Sequence, residues 1–372
     1  MMSTLLQRIA EAGVLVADGA MGTMLLDRGL RPGDCPESVN LDRPVVLEEI
    51  ARLYLEAGAD IIQTNTFGGS PLKLAAYGLA AKTEEINRSA VDAVRRAVAS
   101  RALVCASCGP SGRLLKPYGD VEPRQLTDSF TRQMAALRDA GVDVFCVETM
   151  TDLAEASLAV RAAKDVAPAI PVMATMTFDA TPRGFYTIMG VSIESAAKGL
   201  EEAGADVVGS NCGNGIELMI RIARHFRDCT DLPLLIQSNA GLPELKEGHL
   251  VYAESPAYMA QKAAKLIAIG VSIIGGCCGT TPDHIRAIRA AVDAAKRKVE
   301  RVGARSTTRA PWVAAVSRQF SVLSFQFSVV SSQSSILGFR APGPTSVFRG
   351  VLGRHLAGTG SGLRQPITEQ TN

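Results

Sequence analysis

Three cysteines stand out because each lies beside glycine at the end of a short apolar run. Cys277 and Cys278 form an adjacent pair flanked by glycine on both sides, and Cys212 is followed by glycine 65 positions upstream. In a regular strand, adjacent side chains point to opposite faces and could not share one partner. The flanking glycines relax that limit, because they reach backbone angles closed to other residues. Three sulfurs at one point would match the ligand count of a catalytic zinc with an open fourth position.

Two other interpretations of these cysteines stay open. Buried free cysteine is common in protein cores, and an adjacent pair can also form a vicinal disulfide. The glycine context and the similar placement of Cys212 favour the metal site. Cys105 and Cys108 form a CxxC pattern, but Cys105 lies within an apolar run, so we interpret this pair as packing.

Composition and charge narrow the class of protein. The chain of 372 residues is 47% apolar and 20% charged, which is typical of a globular protein. Eight arginines and one acid give residues 301–372 a formal charge of +7, which leaves −5 for residues 1–300. That mildly acidic part offers no basic surface for nucleic acid, and no apolar stretch approaches the ~20 residues that span a membrane. Irregularly spaced cysteines and no visible signal peptide predict a cytoplasmic location.

The elements that must position these residues alternate along the chain. Eight β-branched runs predict strands at 14–17, 60–64, 103–107, 142–147, 170–175, 206–209, 233–237 and 271–274. Eight amphipathic stretches predict helices at 44–57, 84–99, 123–139, 152–166, 192–203, 215–227, 255–269 and 282–299. Eight strands, each followed by a helix, predict an α/β fold of the (β/α)8 TIM barrel type. An open doubly wound sheet is the alternative, but the first strand lacks the glycine-rich phosphate turn that such a sheet favours.

The last 72 residues differ from the rest in composition and in sequence pattern. Residues 301–372 show no sustained helical pattern and contain 11 serines. We therefore expect a barrel over residues 1–300 and a basic, mostly disordered tail over residues 301–372. An additional interaction element and an erroneous extension of the reading frame are the alternatives for this segment.

Polar residues fall where each predicted strand ends, which is where a barrel of this type builds its active site. Asp18 follows the first strand, Asn65 the second, Glu148 ends the fourth and Asn211 follows the sixth. Two carboxylates beside a metal can bind a substrate ammonium. Free backbone N–H groups at Gly19 and Ala20 could receive a carboxylate. An amino acid carrying a thiol would satisfy these groups, and plain capping or ion pairing of the acids is the structural alternative.

Five segments resemble the homocysteine-binding barrel of the homocysteine S-methyltransferases, most of all the homocysteine module of cobalamin-dependent methionine synthase. They are Asp18-Gly19-Ala20-Met21-Gly22-Thr23, Thr64-Asn65-Thr66-Phe67-Gly68, Val147-Glu148-Thr149-Met150, Gly209-Ser210-Asn211-Cys212 and Gly275-Gly276-Cys277-Cys278-Gly279-Thr280-Thr281-Pro282. The likeness is colinear and extends from about residue 5 to residue 298. It implies zinc on Cys212, Cys277 and Cys278. It also implies a homocysteine amino group held by Asp18 and Glu148, in a substrate site completed by Gly19, Ala20, Asn65 and Asn211.

The resemblance also implies an activity. Members of the family form methionine by attack of a zinc-bound homocysteine thiolate on an activated methyl group. Thr280 and Asn65 match the cobalamin-linked branch, which favours methylcobalamin from a separate corrinoid protein as the donor. The alternatives are S-methylmethionine, a betaine, or a non-catalytic homocysteine-binding subunit.

Overall fold

The computed structural model describes residues 4–246 and 249–303, which form alternating strands and helices. The strands are β1 (Leu15–Val16), β2 (Ile61–Gln63), β3 (Leu103–Cys108), β4 (Val144–Met150), β5 (Val172–Met176), β6 (Asp179–Thr181), β7 (Gly184–Tyr186), β8 (Val207–Asn211), β9 (Leu234–Ser238), β10 (Pro243–Lys246), β11 (His249–Tyr252) and β12 (Ile273–Gly276). The helices are α1 (Leu5–Ala12), α2 (Met21–Leu26), α3 (Val39–Asp42), α4 (Pro44–Glu56), α5 (Pro71–Ala75), α6 (Thr83–Val98), α7 (Pro123–Ala140), α8 (Leu153–Val166), α9 (Ile193–Ala203), α10 (Ile216–Cys229), α11 (Pro256–Ile269) and α12 (Pro282–Gly303).

Eight of the strands form a parallel barrel. Their order is β1-β12-β9-β8-β5-β4-β3-β2, and a parallel bridge between Ala17 and Ile61 joins the two ends of that series. Two backbone hydrogen bonds support the closure, from Asp18 N to Ile61 O at 3.0 Å and from Asp60 N to Val16 O at 2.7 Å. The TIM barrel expected from the sequence is confirmed, and every predicted strand and helix overlaps an observed one.

The barrel lumen changes from apolar to polar along the strands. Side chains of a strand alternate between its two faces, and in β4 Val144 and Cys146 belong to the apolar cluster inside the barrel. Glu148 is the next residue in that alternation and stands at the carboxyl end. Ser107 takes the same place on β3 and Gln63 on β2. This polar carboxyl end of the lumen is called the mouth below.

Helix α1 closes the opposite end of the barrel. It begins with a capping box in which Thr4 and Gln7 exchange side-chain and backbone hydrogen bonds. Leu5 and Ile9 are fully buried and join the cluster inside the barrel. A closed, apolar amino end leaves the mouth as the end at which a ligand can enter the lumen.

The loops around the mouth contain most of what the sequence did not predict. The hairpins β6–β7 and β10–β11 and the short helices α2, α3 and α5 all follow carboxyl ends of barrel strands. Within the described residues, no helix combines the length and apolar character needed to cross a membrane. Apart from the end of α12, the predicted tail lies outside the described residues, so the domain boundary near residue 300 stays a prediction.

Candidate metal and substrate site

The three glycine-flanked cysteines meet at the mouth. Cys212, Cys277 and Cys278, called the cysteine trio below, have sulfur atoms that all lie within 4.8 Å of one another. The sulfurs of Cys212 and Cys278 are 3.8 Å apart. Sulfurs at the corners of a tetrahedron, each ~2.3 Å from a central zinc, are about 3.8 Å apart. The donor set therefore fits zinc in chemistry and spacing, and the described residues contain no second candidate metal cluster.

An unusual backbone conformation turns Cys212 toward its partners. Its φ of +60° lies in the left-handed region, which is uncommon for a residue with a side chain. Two hydrogen bonds hold it there, because Cys212 N donates to Gln237 O at 3.1 Å and Cys212 O accepts from Asn214 N at 2.8 Å. Such conformations persist only where the surroundings fix them, and they cluster at functional sites.

The loop after β9 holds the cysteine pair that follows β12. Cys277 N donates to Ser238 O at 2.8 Å, and Ala240 N donates to Cys278 O at 3.0 Å. Gly279 then turns the chain with a φ of +78°. The expected role of glycine in aiming two adjacent sulfurs at one point agrees with this geometry.

Hydrogen bonds between the sulfur atoms shift the pKa values of the cysteine trio. Hydrogen bonds from the thiols of Cys277 and Cys278 lower the pKa of Cys212 well below that of an ordinary thiol. The same contact with Cys212 raises the pKa of Cys278. Cys212 is thus the sulfur of the trio that loses its proton most readily, and a divalent cation among the three sulfurs would replace the protons of the thiols.

Asp18 is a buried acid with an incomplete set of partners. It is 1% exposed, and its Oδ2 accepts a hydrogen bond from Gln63 N at 2.8 Å. Its Oδ1 is buried without a hydrogen-bond partner. Burial raises the pKa of Asp18 to about 8, and the nearby charge of Glu148 adds to the increase. A cationic ligand would relieve both costs.

Glu148 is buried beside Asp18 and is better supported. Its Oε1 accepts hydrogen bonds from the Ser107 hydroxyl and from Gln63 Nε2, the latter at 3.0 Å. Its Oε2 accepts from Asn211 Nδ2 at 3.1 Å. Burial nevertheless raises the pKa of Glu148 to about 7. Among the described residues, no basic side chain balances the charge of either acid.

Asn211 connects the acids to the cysteine trio. Its Nδ2 contacts Glu148 Oε2 and lies 4.0 Å from Cys277 Sγ. Its Oδ1 accepts from Thr149 N and from Thr175 Oγ1, both at 2.8 Å. Since protein groups occupy this amide, its direct role is to orient Glu148 and Cys277. Its predicted contact with substrate stays a prediction.

Three residues predicted to bind substrate differ in whether their N–H groups already have hydrogen-bond partners. Gly19 packs so closely that an added Cβ would lie 2.7 Å from Thr280 Oγ1, and its N–H has no acceptor among the described residues. Ala20 N donates to the same hydroxyl at 3.2 Å, so it does not offer the free N–H that the sequence suggested. Asn65 gives its amide hydrogens to Pro36 O and to Asn40 Oδ1, each at 2.7 Å. A substrate contact by Ala20 or Asn65 stays a prediction and would require these bonds to open.

Sequence reasoning missed two glutamines at the mouth. Gln63 contacts both acids, and Gln237 carries a buried Oε1 without a partner. Asn239, which follows β9, hydrogen-bonds the sulfur of Cys212 and also has a buried Oδ1 without a partner. Buried acceptors without donors are rare in native structures, so several together at one mouth indicate a ligand site. The available signal was a polar amide interrupting an apolar strand.

Comparison with known proteins agrees with this site. Residues 15–292 match the model of the family described as homocysteine S-methyltransferase. The chain belongs to the homocysteine S-methyltransferase family. It is 36% identical over 329 residues to a methionine synthase of Mycobacterium leprae, covering 84% of this chain and 27% of that protein. It is also 36% identical over 306 residues to a methionine synthase of Mycobacterium tuberculosis, covering 78% of this chain and 25% of that protein.

The chain thus spans about a quarter of the length of these methionine synthases. Among solved structures, it resembles the metallated form of the homocysteine methyltransferase MmuM from Escherichia coli with a TM-score of 0.63. That similarity has 24% sequence identity and covers 75% of this chain and 96% of MmuM. At this level of identity the likeness shows a shared barrel fold.

Proposed function

We propose that this protein is a zinc-dependent homocysteine S-methyltransferase that forms methionine. The observation that carries the proposal is the joint placement of the cysteine trio and the buried acid pair at one barrel mouth. A thiol ligand for the first and an ammonium ligand for the second are the two functional ends of homocysteine. Membership of the family supports the same substrate.

Cys212, Cys277 and Cys278 would hold the zinc. Bound there, zinc supplies a Lewis acid that keeps the homocysteine sulfur deprotonated near neutral pH, where a free thiol with a pKa of ~8.5 is mostly protonated. The chain's own contribution is to hold three sulfurs close together through the backbone bonds of the loops after β8, β9 and β12. Thiolate ligands need a reducing compartment, which is why we propose the cytoplasm as the location.

Asp18 and Glu148 would bind the homocysteine ammonium between them. The positive charge would favour the ionised form of both acids and lower their raised pKa values. The N–H of Gly19 would donate to the substrate carboxylate. With the amino-acid end fixed, the sulfur is held in line with the methyl group, which is worth several orders of magnitude in rate. The new sulfur–carbon bond forms as the bond between methyl and donor breaks, and that electron pair leaves with the donor.

For the methyl donor we propose methylcobalamin carried by a separate corrinoid protein. The support is an apolar rim around the mouth, formed by exposed side chains in the loops that follow barrel strands. Its members are Phe67, Tyr77, Leu114, Tyr118, Ile188, Met189, Leu242, Leu245, Leu250 and Val251. Exposed apolar surface of this kind suits a protein partner better than a small polar donor.

The test is methionine formation by the zinc-loaded protein from homocysteine and each of three donors under identical conditions. The donors are free methylcobalamin, S-methylmethionine and glycine betaine. We expect methionine with methylcobalamin. Activity with S-methylmethionine or betaine alone would overturn the proposed donor and leave the methyltransferase assignment standing. Homocysteine binding without methionine from any donor would instead favour a non-catalytic homocysteine-binding subunit.

A further inference from the structure

Gln63 lies between the two acids and contacts both. Its backbone N–H donates to Asp18 Oδ2 at 2.8 Å, and its side-chain Nε2 donates to Glu148 Oε1 at 3.0 Å. It is the last residue of β2, where the strand alternation that buries Ile61 in the lumen also turns Gln63 inward. One residue therefore ties together two carboxylates that come from different strand ends.

We propose that Gln63 is a positioning residue that sets the spacing of Asp18 and Glu148, so that one substrate ammonium contacts both carboxylates. The inference rests on the proposed function, because that function supplies the ammonium. Gln63 acts through the acids and is not itself placed on the reacting atoms.

Other neighbours of the acids cannot replace this bridge. Of the two acids, Ser107 and Asn211 contact Glu148 and not Asp18. For the Asp18 carboxylate, Gln63 is the hydrogen-bond donor that the structure shows, and Asp18 Oδ1 stays without a partner. The bridge thus fixes one oxygen of Asp18 and leaves the other available to a ligand.

The chemical type of Gln63 also suits the role. A lysine at this place would bring its own ammonium between the acids, and an acid would add a third carboxylate to a buried pair. A neutral amide donates to the ionised form of Glu148 and lowers its pKa without occupying the cation position. Since Asn211 links the other oxygen of Glu148 to the vicinity of Cys277, the bridge also relates the ammonium position to the cysteine trio.

The test compares two ligands on the zinc-loaded protein by isothermal titration calorimetry. One ligand is homocysteine, and the other is 4-mercaptobutanoate, which has the same skeleton without the amino group. The variant Gln63→Met removes the side-chain bond to Glu148 and keeps the backbone bond to Asp18. We expect the Kd for homocysteine to rise about tenfold, as for loss of a hydrogen bond to a charged group. The Kd for 4-mercaptobutanoate should change less than about twofold.

Gln133→Met is the matched control, because Gln133 is a buried glutamine that bonds Thr66 O away from the acids. It should leave the ratio of the two Kd values unchanged. Gln63→Asn, which shortens the amide by one methylene, should reproduce the selective loss and keeps the test available if Gln63→Met folds poorly.

The outcomes separate the two proposals. Equal weakening of both ligands in the Gln63 variants, or no weakening of either, would overturn the positioning role alone. Wild-type protein that binds neither ligand would overturn the proposed function and the positioning role with it. Zinc content measured on each sample shows that a loss of affinity is not a loss of metal.

Discussion

Six of the eight cysteines lie on barrel strands or directly after them, and they form two groups with different surroundings. Cys105, Cys108 and Cys146 lie within β3 and β4 and are fully buried. The cysteine trio lies just beyond β8 and β12 and is partly exposed. The residue type is the same in both groups, so the place relative to the strand end decides what the sulfur can do.

The CxxC pattern shows why the strand interior is unsuitable for a shared site. Cys105 belongs to the cluster inside the barrel, whereas Cys108 belongs to the cluster between the sheet and the helices. An odd separation along a strand puts two side chains on opposite faces. Burial raises the pKa of both thiols well above its ordinary value, so they stay neutral. The interpretation of this pair as packing is confirmed by these contacts.

The largest expected effect separates the two cysteine groups by substitution. Cys277→Ser should reduce bound zinc from about one equivalent to near zero and reduce methionine formation by at least about a hundredfold. Cys105→Ser, the matched control, should keep its zinc. Mass spectrometry of the metal bound to each purified variant checks the two expected zinc contents. Zinc retained in Cys277→Ser together with zinc lost in Cys105→Ser would reverse the comparison.

The acid pair should affect substrate and not metal. Asp18→Asn and Glu148→Gln each remove a charge that would face the ammonium, so the KM for homocysteine should rise by about ten- to a hundredfold. Zinc content should stay at the wild-type level, because neither acid is placed on the cysteine trio. Steady-state kinetics and metal analysis of the same samples test the division of roles. Loss of zinc from either variant would contradict it.

The buried Asp18 should make stability depend on pH in the metal-free protein. Its pKa is raised from 3.8 to about 8, chiefly by burial. An acid with a higher pKa when folded holds its proton more tightly in the folded state. Its contribution to stability is therefore present below the unfolded pKa and is lost as the pH rises through about 8. The free energy of unfolding, from urea titrations, should fall between about pH 5 and pH 8, and Asp18→Asn should make that fall smaller. An unchanged fall would show that Asp18 is not its source.

Replacing a glycine at the site with alanine should destabilise the protein more than replacing a glycine that only caps a helix. Gly279→Ala combines a φ of +78° with a Cβ that would lie 2.1 Å from the Tyr252 ring. Gly141→Ala, the matched control after α7, has a φ of +86° and open space around its Cβ. The control should cost about 1–2 kcal/mol of unfolding free energy, and Gly279→Ala should cost more and lower zinc affinity. Equal losses in thermal unfolding would argue against close packing beside the trio.

The smallest effect is expected from the last part of the chain. Protein shortened to residues 1–303 should keep zinc and activity within about twofold. The barrel is complete at α12, and the site lies at the carboxyl ends of the strands, where α12 begins and not where it ends. Metal analysis and methionine formation check this. Loss of either would show that residues beyond 303 contribute to the fold or the site.

The regular part of the barrel and the cysteine trio were predictable from sequence for related reasons. Parallel strands buried on both faces appear as apolar runs, and polar or glycine-flanked residues at their ends mark the mouth. The predicted strand 206–209 therefore placed Cys212 correctly after the strand, whereas Asn211 is the last residue of β8 and does not follow it.

The remaining features depend on contacts between distant segments. Nothing local to Ala20 shows that Thr280, 260 positions away, accepts its N–H. Gln63 looks like one polar residue at a strand end until the barrel closes and brings Asp18 and Glu148 to it. The strands of the hairpins β6–β7 and β10–β11 are too short to show a clear alternation of apolar and polar residues.

The most direct test of the central claim is zinc X-ray absorption on the metal-loaded protein, before and after addition of homocysteine. The account predicts three sulfur neighbours at about 2.3 Å without substrate and four with it, as expected for three cysteine ligands and one open position. A first shell with fewer than three sulfurs, or a sulfur count that does not change when homocysteine binds, would contradict it.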